Sequence, residues 1–292
     1  MAEVSPRPFD PTEYKSAQRQ DWSNAAAGWK QWWETMERGA QVVSDRLVEL
    51  AEIQPGQRVL DVATGIGEPA VTAARRVGPT GRVVATDQAP QMLAIARERA
   101  ATLGLTQMEF REVDAEALDF PERTFDAVLS RWGLMFLPAL PGALARMHRI
   151  LVPGGRLAAA VWGPPPKVPL ISVAMGTVRE QVQAPPPPPG MPGPFSLADV
   201  TILEQALREA GFSDVRTERL TVTFEWSSPE DYTRFHQAIA APIIAIVAAQ
   251  PVERRAGIWQ AVTEAARKHA GSSGTVRMAN DVFCVAARRG AA

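Results

Sequence analysis

The stretch of sequence that decides the fold runs from residue 58 to residue 69 and reads RVLDVATGIGEP. Residues 58–63 form a short, largely apolar run that is typical of a buried strand, and Gly65 and Gly67 follow it. Glycines at such a point let the backbone turn sharply and approach a ligand with no Cβ in the way. A helix begins near Pro69, and its free N–H groups favour an anionic or polar ligand. The stretch therefore predicts a strand, a ligand-binding turn and a helix.

Strands and helices continue to alternate on the carboxyl side of this turn. The pattern predicts strands over 81–86, 108–113, 125–130 and 156–161. It also predicts helices over 89–103 and 141–151, the second halted by the Pro-Gly-Gly sequence at 153–155. Strands that alternate with helices favour a parallel, doubly wound sheet, so we predict an α/β fold.

The segments before and after this region are less regular. Residues 10–50 read as helical, and Trp22, Trp29 and Trp33 fall on one helical face. This stripe either packs on the main domain, or caps a bound ligand, or does both. Further along, proline runs at 164–166 and 185–189 bracket a helix predicted over 171–183.

The carboxyl-terminal third is predicted to return to the sheet. Ser196 is expected to cap a helix that ends at Ala210, followed by a long strand over 215–226. Helices interrupted by prolines occupy 229–269, and a final strand over 275–287 suits a sheet closed by an antiparallel hairpin. We divide the chain into one core with insertions: a helical cap at 1–50, core at 51–163, a proline-rich lid insertion at 164–196, core continuation at 197–226, a helical lid insertion at 227–274, and the last strand and tail at 275–292.

Asp87 closes the second predicted strand, 22 residues after Gly65. A carboxylate at this point can accept both hydroxyl groups of a ribose, as the acidic residue of nucleoside-binding folds does. The glycine turn, which also satisfies G-x-G-x-x-[GA], together with Asp87 predicts a ligand that contains adenosine. These two features do not choose between NAD and S-adenosylmethionine.

Three further features favour S-adenosylmethionine. Asp61 precedes the glycines, where it would repel a pyrophosphate but suit a ligand that carries an ammonium and a sulfonium group. Asp114 follows the third strand and can accept the adenine amino group, while the N–H of Ala115 donates to the ring. The antiparallel ending differs from the all-parallel nicotinamide fold. An NAD(P)-dependent oxidoreductase that uses the glycine turn and Asp87 is the alternative.

Residues 57–162 resemble the core of class I S-adenosylmethionine-dependent methyltransferases. The loop at 60–68 (LDVATGIGE) and the run at 148–157 (HRILVPGGRL) carry this resemblance. The loop is similar to that of the ubiquinone/menaquinone-biosynthesis type of C-methyltransferase and its small-molecule relatives, although Ala63 stands where the broad family most often has glycine. The resemblance implies a Rossmann-like, mostly parallel seven-stranded sheet whose last strand is antiparallel, with helical cap and lid insertions.

The resemblance also implies the roles of individual residues around the cofactor. The methionine portion would contact Asp61, Gly65 and Gly67, with Ala63 and Thr64 in the same loop, while Asp87 would bind the ribose. The adenosine would further contact, in chain order, Gln88, Met92, Asp114 and Ala115. Ser130 or Arg131 would lie near the amino acid moiety and the methyl group. The product of transfer would be S-adenosylhomocysteine.

Candidates for handling the methyl acceptor are fewer. Methyl transfer is an in-line displacement, so alignment and exclusion of water supply much of the catalysis, and a base is needed only if the acceptor must lose a proton. Arg131 could hold an anionic acceptor, and His236 is the best base among three histidines if its segment closes over the site. Trp132, Phe136 and Trp29 are candidate walls of an apolar acceptor pocket, and each could equally be ordinary core. The sequence leaves open which atom is methylated.

Composition restricts the class of protein. The 292 residues are 46% hydrophobic and 22% charged with a net charge of −1, which is the balance of an ordinary globular protein. The scattered charges predict neither nucleic acid nor membrane as a partner, and we expect no metal ion. Residues 1–8 lack the apolar core of a secretory signal, the longest apolar run, 238–249, is too short to span a bilayer, and the single cysteine, Cys284, fits a reducing compartment. We therefore predict a cytoplasmic protein and leave its oligomeric state open.

Overall fold

A computed structural model describes residues 9–185, 188 and 190–291. The interpretation of residues 1–8 and part of the proline run at 185–189 lie outside these residues. The strands are β1 Arg58–Val62, β2 Arg82–Asp87, β3 Met108–Glu112, β4 Phe125–Arg131, β5 Leu151–Trp162, β6 Phe212–Trp226 and β7 Val276–Arg289. The helices are α1 Pro11–Leu50, α2 Ala70–Val77, α3 Pro90–Thr102, α4 Leu140–Ile150, α5 Pro169–Val182, α6 Val200–Glu209, α7 Pro229–Ile239, α8 Ala241–Ala248 and α9 Val252–Arg267.

The strands form one seven-stranded sheet in the order β3-β2-β1-β4-β5-β7-β6. Strands β1 to β5 pair in parallel, and β7 runs antiparallel to both neighbours, β5 and β6. The predicted Rossmann-like, mostly parallel sheet with an antiparallel last strand is confirmed. The buried strands β1 and β2 end beside each other, which brings the loops that follow them to one edge of the sheet.

Two local predictions were wrong. The Pro-Gly-Gly turn does not precede β5 but lies within it, because Leu151 already pairs with Phe125 and a bulge carries the strand to Arg156. Ser196 does not cap the next helix, which begins at Val200. Asp199 caps it by accepting from Thr201 N at 3.1 Å, whereas Ser196 Oγ donates to Met135 O at 2.7 Å. The carboxylate of Asp199 therefore provides the helix cap in place of the Ser196 hydroxyl.

Helix α1 is 40 residues long and begins at an N-cap, where Asp10 accepts from Thr12 N at 2.8 Å. It packs closely on α7 at Gly28, where a Cβ would lie 2.0 Å from Ala238 O. A Cβ at Gly39 would lie 2.7 Å from the ring of Phe224, on β6. These two glycines let a single helix pack on an inserted helix and on the sheet.

The segments predicted as insertions share the core of the sheet. Asn280 of β7 is fully buried, and its Oδ1 accepts from Leu170 N at 2.8 Å, which fixes the start of α5. The Tyr232 hydroxyl of α7 donates to Leu170 O at 3.0 Å, so α7 is tied to the same turn. One hydrophobic cluster contains buried residues from α1, the sheet, α5 and α7 to α9. In the described part of the chain, no helix is long and apolar enough to cross a membrane.

Candidate functional site

The loop between β1 and α2 is held in a conformation that favours glycine. Ala63, Gly65 and Gly67 have φ values of 58°, 56° and 108°. A left-handed alanine costs roughly 1–2 kcal/mol, so this backbone conformation favours glycine at position 63. At Gly67 a Cβ would lie 3.4 Å from that of Ala96, so this glycine lets the loop pack on α3.

A cavity of about 240 Å³ opens above this loop. Its polar part consists of residues on α1 and the loops after β1, β2 and β3: Lys15, Gln18, Thr64, Glu68, Asp87, Gln88 and Asp114. Its apolar part consists mostly of side chains from the insertions and from the ends of β4 and β5: Trp132, Met135, Trp162, Leu170, Ile171, Met175, Phe235, Ile239 and Ile243. Ala63, Gly65, Met92, Ala115 and Phe136 also line it.

Asp87 lies at the carboxyl end of β2 and borders the cavity. Its Oδ2 accepts from Gly65 N at 2.8 Å and its Oδ1 from Ala89 N at 2.9 Å, so the carboxylate joins the glycine loop to the start of α3. Burial raises the pKa of Asp87, although hydrogen bonds from the backbone N–H groups of Ala89, Gly65 and Gln88 oppose the shift. A carboxylate has about four lone-pair sites, so Asp87 can still accept from a ligand hydroxyl beyond these three bonds.

Asp114 has a partner that sequence reasoning missed. Its Oδ1 accepts from Glu116 N, and its Oδ2 lies 2.8 Å from Lys15 Nζ of α1. Lys15 also pairs with Glu116 at 2.9 Å, and Arg19, one turn on, pairs with Glu112. These ion pairs therefore hold the first turns of α1 against the polar part of the cavity.

Three predicted cofactor residues, Asp61, Gly67 and Ser130, do not line the cavity. Asp61 is fully buried, its Oδ2 accepts from Thr64 Oγ1 at 2.6 Å and Ala70 N at 3.0 Å, and burial raises its pKa to about 7. Ser130 Oγ donates to Val62 O at 3.0 Å. In this structure the hydrogen bonds of Asp61 and Ser130 stabilise the loop and the strand ends without facing the cavity. The resemblance implied direct contacts with the cofactor instead.

Arg131 borders the cavity but is already engaged. Its Nη2 lies 2.8 Å from Glu37 Oε1, and its Nη1 donates to Ser44 Oγ at 2.9 Å. Both charged side chains of this ion pair are less than a tenth exposed. The guanidinium therefore fastens β4 to α1, which leaves less of it free for an anionic acceptor than the sequence suggested.

His236 also lines the cavity wall, at 3% exposure. Its Nδ1 lies 3.0 Å from Tyr232 O and its Nε2 2.8 Å from Leu170 O. Burial lowers its pKa to about 4, although the two carbonyl groups oppose the shift. A neutral ring with both nitrogens against carbonyl oxygens has no lone pair aimed at a ligand. These contacts favour a structural role over the predicted one as a base.

Aromatic side chains join the two parts of the cavity. Trp132 stacks on Trp162 with ring centroids 4.2 Å apart and planes 8° apart. Trp22 contacts Trp29 and Phe136, with centroids 6.2 and 5.5 Å away. Trp22 and Trp29 pack against the core and also line the cavity, so the packing interpretation of the α1 stripe holds and its role as a cap over a ligand stays a prediction. Trp33 does not line it and instead lies 4.3 Å from the guanidinium of Arg99.

Sequence reasoning also missed Gly133 and Trp162. A Cβ at Gly133 would lie 2.6 Å from that of Ala63 and 2.8 Å from Ser130 Oγ, so only glycine lets the turn after β4 approach the loop after β1. The preceding residue, Trp132, has a φ of 60°, a left-handed conformation that is uncommon for a bulky side chain. A glycine just after a predicted strand was the available signal, since glycine is one of the strongest markers of turns and loops.

Part of the chain is similar in sequence to known proteins. Residues 59–155 match a family described as "Methyltransferase domain". Over 122 residues the chain is 44% identical to a demethylmenaquinone methyltransferase of Thermus thermophilus, covering 42% of this chain and 54% of that protein. Over 113 residues it is 43% identical to the aklanonic acid methyltransferase DauC of a Streptomyces species, covering 39% and 51%. This chain contains a class I S-adenosylmethionine-dependent methyltransferase domain.

The likeness in fold extends beyond the methyltransferase domain. The solved structure of a putative methyltransferase from Bacillus halodurans covers 85% of this chain and 98% of its own, with a TM-score of 0.53 and 21% identity. The match with curated relatives is shorter, since the chain spans about half the length of those it matches. The resemblance seen in the sequence is confirmed, and the oxidoreductase alternative finds no support among these relatives.

The residues of the methyltransferase domain fit S-adenosylmethionine, the cofactor that defines the class. A buried carboxylate, Asp87, faces the cavity at the end of β2, where a ribose would lie. Asp114 offers carboxylate oxygens beside the apolar surfaces of Met92 and Val113, which suits an adenine ring. Among the described residues, no group of three or more His, Cys, Asp or Glu side chains could hold a metal ion.

Proposed function

We propose that this protein transfers a methyl group from S-adenosylmethionine to a small apolar or aromatic acceptor. The observation that carries the proposal is that one cavity joins Asp87 and Asp114 to a wall of insertion side chains such as Ile171 and Phe235. Largely apolar pockets with a few placed polar groups are typical of small-molecule sites. Two relatives in the comparison are named for demethylmenaquinone and aklanonic acid, which supports a small-molecule acceptor.

The bound cofactor would supply the electrophilic methyl group on a sulfonium sulfur. The chain's own contribution is to bind and orient the two reactants and to exclude water. Asp87, Asp114 and the glycine loop would hold the nucleoside, and the stacked pair Trp132–Trp162 would align a flat acceptor. Arg131 would keep α1 closed over the cavity through its ion pair with Glu37. Alignment and desolvation can supply much of the rate enhancement of an in-line displacement.

The acceptor is proposed to be a small molecule rather than nucleic acid, in keeping with the net charge of −1. We also place the reaction in the cytoplasm, since the single cysteine, Cys284, is buried and free. Fold alone does not define the acceptor atom, because this scaffold serves O-, N- and C-methylation alike.

The proposal is tested by methyl transfer from isotopically labelled S-adenosylmethionine to two panels of acceptors, read by mass spectrometry. One panel holds quinols, phenols and other flat apolar molecules, and the other holds charged amines and amino acids. We expect labelled product only in the first panel. Transfer only to the charged panel would contradict the acceptor class. Binding of NADH with no response to S-adenosylmethionine or S-adenosylhomocysteine would contradict the reaction itself.

A further inference from the structure

Five charged side chains from five elements meet beneath the glycine loop. They are the carboxyl groups of Glu37, Asp61 and Glu68 and the guanidinium groups of Arg99 and Arg131. Each of them acts electrostatically on another member of the set. Three acids face two bases in this cluster, so it carries an excess negative charge when all five groups are ionised, and Arg75 also acts electrostatically on Arg99.

Two of the three acids have their hydrogen bonds within the cluster or the loop. Glu37 forms a two-pronged pair with Arg131, at 2.8 and 3.3 Å. Asp61 accepts at Oδ2 from Thr64 and Ala70, while its Oδ1 is buried with no hydrogen-bond partner among the described residues. Neither Glu37 nor Asp61 lines the cavity, so neither acid faces a ligand there.

Glu68 is the third acid and differs from the other two. It lines the cavity, and its side chain is 2% exposed. Its Oε2 accepts from Thr72 Oγ1 at 2.7 Å and Thr72 N at 3.3 Å. Among the residues that the structure describes, its Oε1 accepts no hydrogen bond and lies 3.7 Å from Arg99 Nη2. Arg99 donates instead to Ile66 O at 2.6 Å.

The free oxygen of Glu68 therefore carries an incompletely compensated charge. Burial, and the nearby Glu37 carboxylate, raise the pKa of Glu68, while Arg131, Thr72 and Arg99 oppose the shift. A buried carboxylate without a full partner is costly, and an added cation with N–H donors removes much of that cost. A ligand that presents an ammonium group at this place would complete both the charge balance and the hydrogen bonding.

We propose that Glu68 binds the α-ammonium group of the methionine portion of the cofactor through Oε1. This inference rests on the proposed function, since it needs an S-adenosyl ligand in the cavity. Glu68 directly follows Gly67 in the loop that holds the methionine portion, and it borders the cavity together with Thr64, Gly65 and Arg131. Glu68 then sets specificity for the amino acid end of the ligand, whereas Asp87 and Asp114 serve the nucleoside.

The experiment compares two ligands that share the nucleoside and the thioether. S-adenosylhomocysteine carries the amino acid group, and 5′-methylthioadenosine does not. Both are titrated by calorimetry into the wild-type protein, into Glu68→Gln and into Glu98→Gln. The last is a control that removes an exposed carboxylate paired with Lys30 on the protein surface. Glutamine keeps the size of Glu68 and its bond from Thr72 but loses the charge.

We expect Glu68→Gln to weaken S-adenosylhomocysteine about ten- to a hundredfold, the size of a charge-assisted hydrogen bond, and to leave 5′-methylthioadenosine nearly unchanged. Glu98→Gln should change neither affinity. An equal loss for both ligands would assign Glu68 a purely structural role and overturn the inference, as would no loss for either. If the wild-type protein binds neither ligand, the proposed function fails first, and the inference fails with it.

A second variant covers the case in which Glu68→Gln does not fold. Glu68→Asp keeps the charge and should retain part of the preference for S-adenosylhomocysteine over 5′-methylthioadenosine. A Glu68→Asp protein that is folded by circular dichroism but has lost this preference would contradict the inference.

Discussion

The polar and apolar parts of the cavity are built from different regions of the chain and in different ways. The polar part comes mainly from short loops that follow β1, β2 and β3, and its carboxylates lie within a few residues of a strand end. The apolar part comes largely from the insertions that contain α5, α7 and α8. The parallel sheet brings the first set together automatically, because neighbouring strands end at one edge. The second set depends on how distant helices pack, so the acceptor can change while the cofactor stays the same.

Breaking the ion pair between Arg131 and Glu37, which holds α1 over both parts of the cavity, should have the largest effect on the free energy of unfolding. Arg131→Met leaves Glu37 buried without its partner, which costs about 3–5 kcal/mol of unfolding free energy. The matched control is Arg46→Met, whose partner Glu218 is 41% exposed, and it should cost less than about 1 kcal/mol. Urea titration measures both losses. Equal losses in the two variants would show that the buried pair does not hold α1.

The apolar part contains the imidazole of His236, whose contribution to the free energy of unfolding depends on pH. Its folded-state pKa of about 4 lies below the ordinary value of 6.5. As pH falls from 6.5 towards 4, the unfolded chain takes up a proton that the folded chain does not, so stability falls, by up to about 3 kcal/mol. His236→Gln removes this dependence, and the gap in unfolding free energy between wild type and variant should narrow from pH 7 to pH 4.5. Asp61 is present in both proteins, so its titration cancels in the difference between their unfolding free energies. A difference that stays constant with pH would refute the prediction.

A change in the polar part should act on the cofactor alone. Asp87→Ala removes the ribose contact and the bond to Gly65 N, and we expect affinity for S-adenosylhomocysteine to fall about a hundredfold. Calorimetry measures the loss, and Asp87→Asn, which keeps the size of the side chain, should lose less. Near-normal affinity in Asp87→Ala would show that the ribose assignment is wrong.

A change in the apolar part should act on the acceptor alone. Ile171→Ala removes methyl and methylene groups from the cavity wall, and KM for an apolar acceptor should rise about tenfold with little change in cofactor affinity. Ile202→Ala is a control on the outer face of α6, where the side chain is 49% exposed. Steady-state kinetics with saturating S-adenosylmethionine measure the effect. A variant that instead weakens the cofactor would remove the distinction between the two parts.

The accuracy of prediction from the sequence also differs between local features and features that depend on distant packing. The ends of β1 to β4 were predictable to within one or two residues, because apolar runs and glycines mark them locally. Asp87 and Asp114 were found for the same reason, since each directly follows or closes a strand. Lys15 and Glu37 were not, because their pairing with Asp114 and Arg131 spans about a hundred residues and depends on where α1 lies. His236 was identified as a residue of the site, but its two carbonyl neighbours come from the packing of α7 on α5.

Helix α1 is a single rod about 60 Å long, at roughly 1.5 Å per residue, and it touches both parts of the cavity. Its first turns carry Lys15 over the polar part of the cavity, and Trp29 and Met36 line the cavity further along the same helix. Because one continuous helix contributes to both parts of the cavity, any shift of α1 along its length would change the shape of the polar part and of the apolar part together.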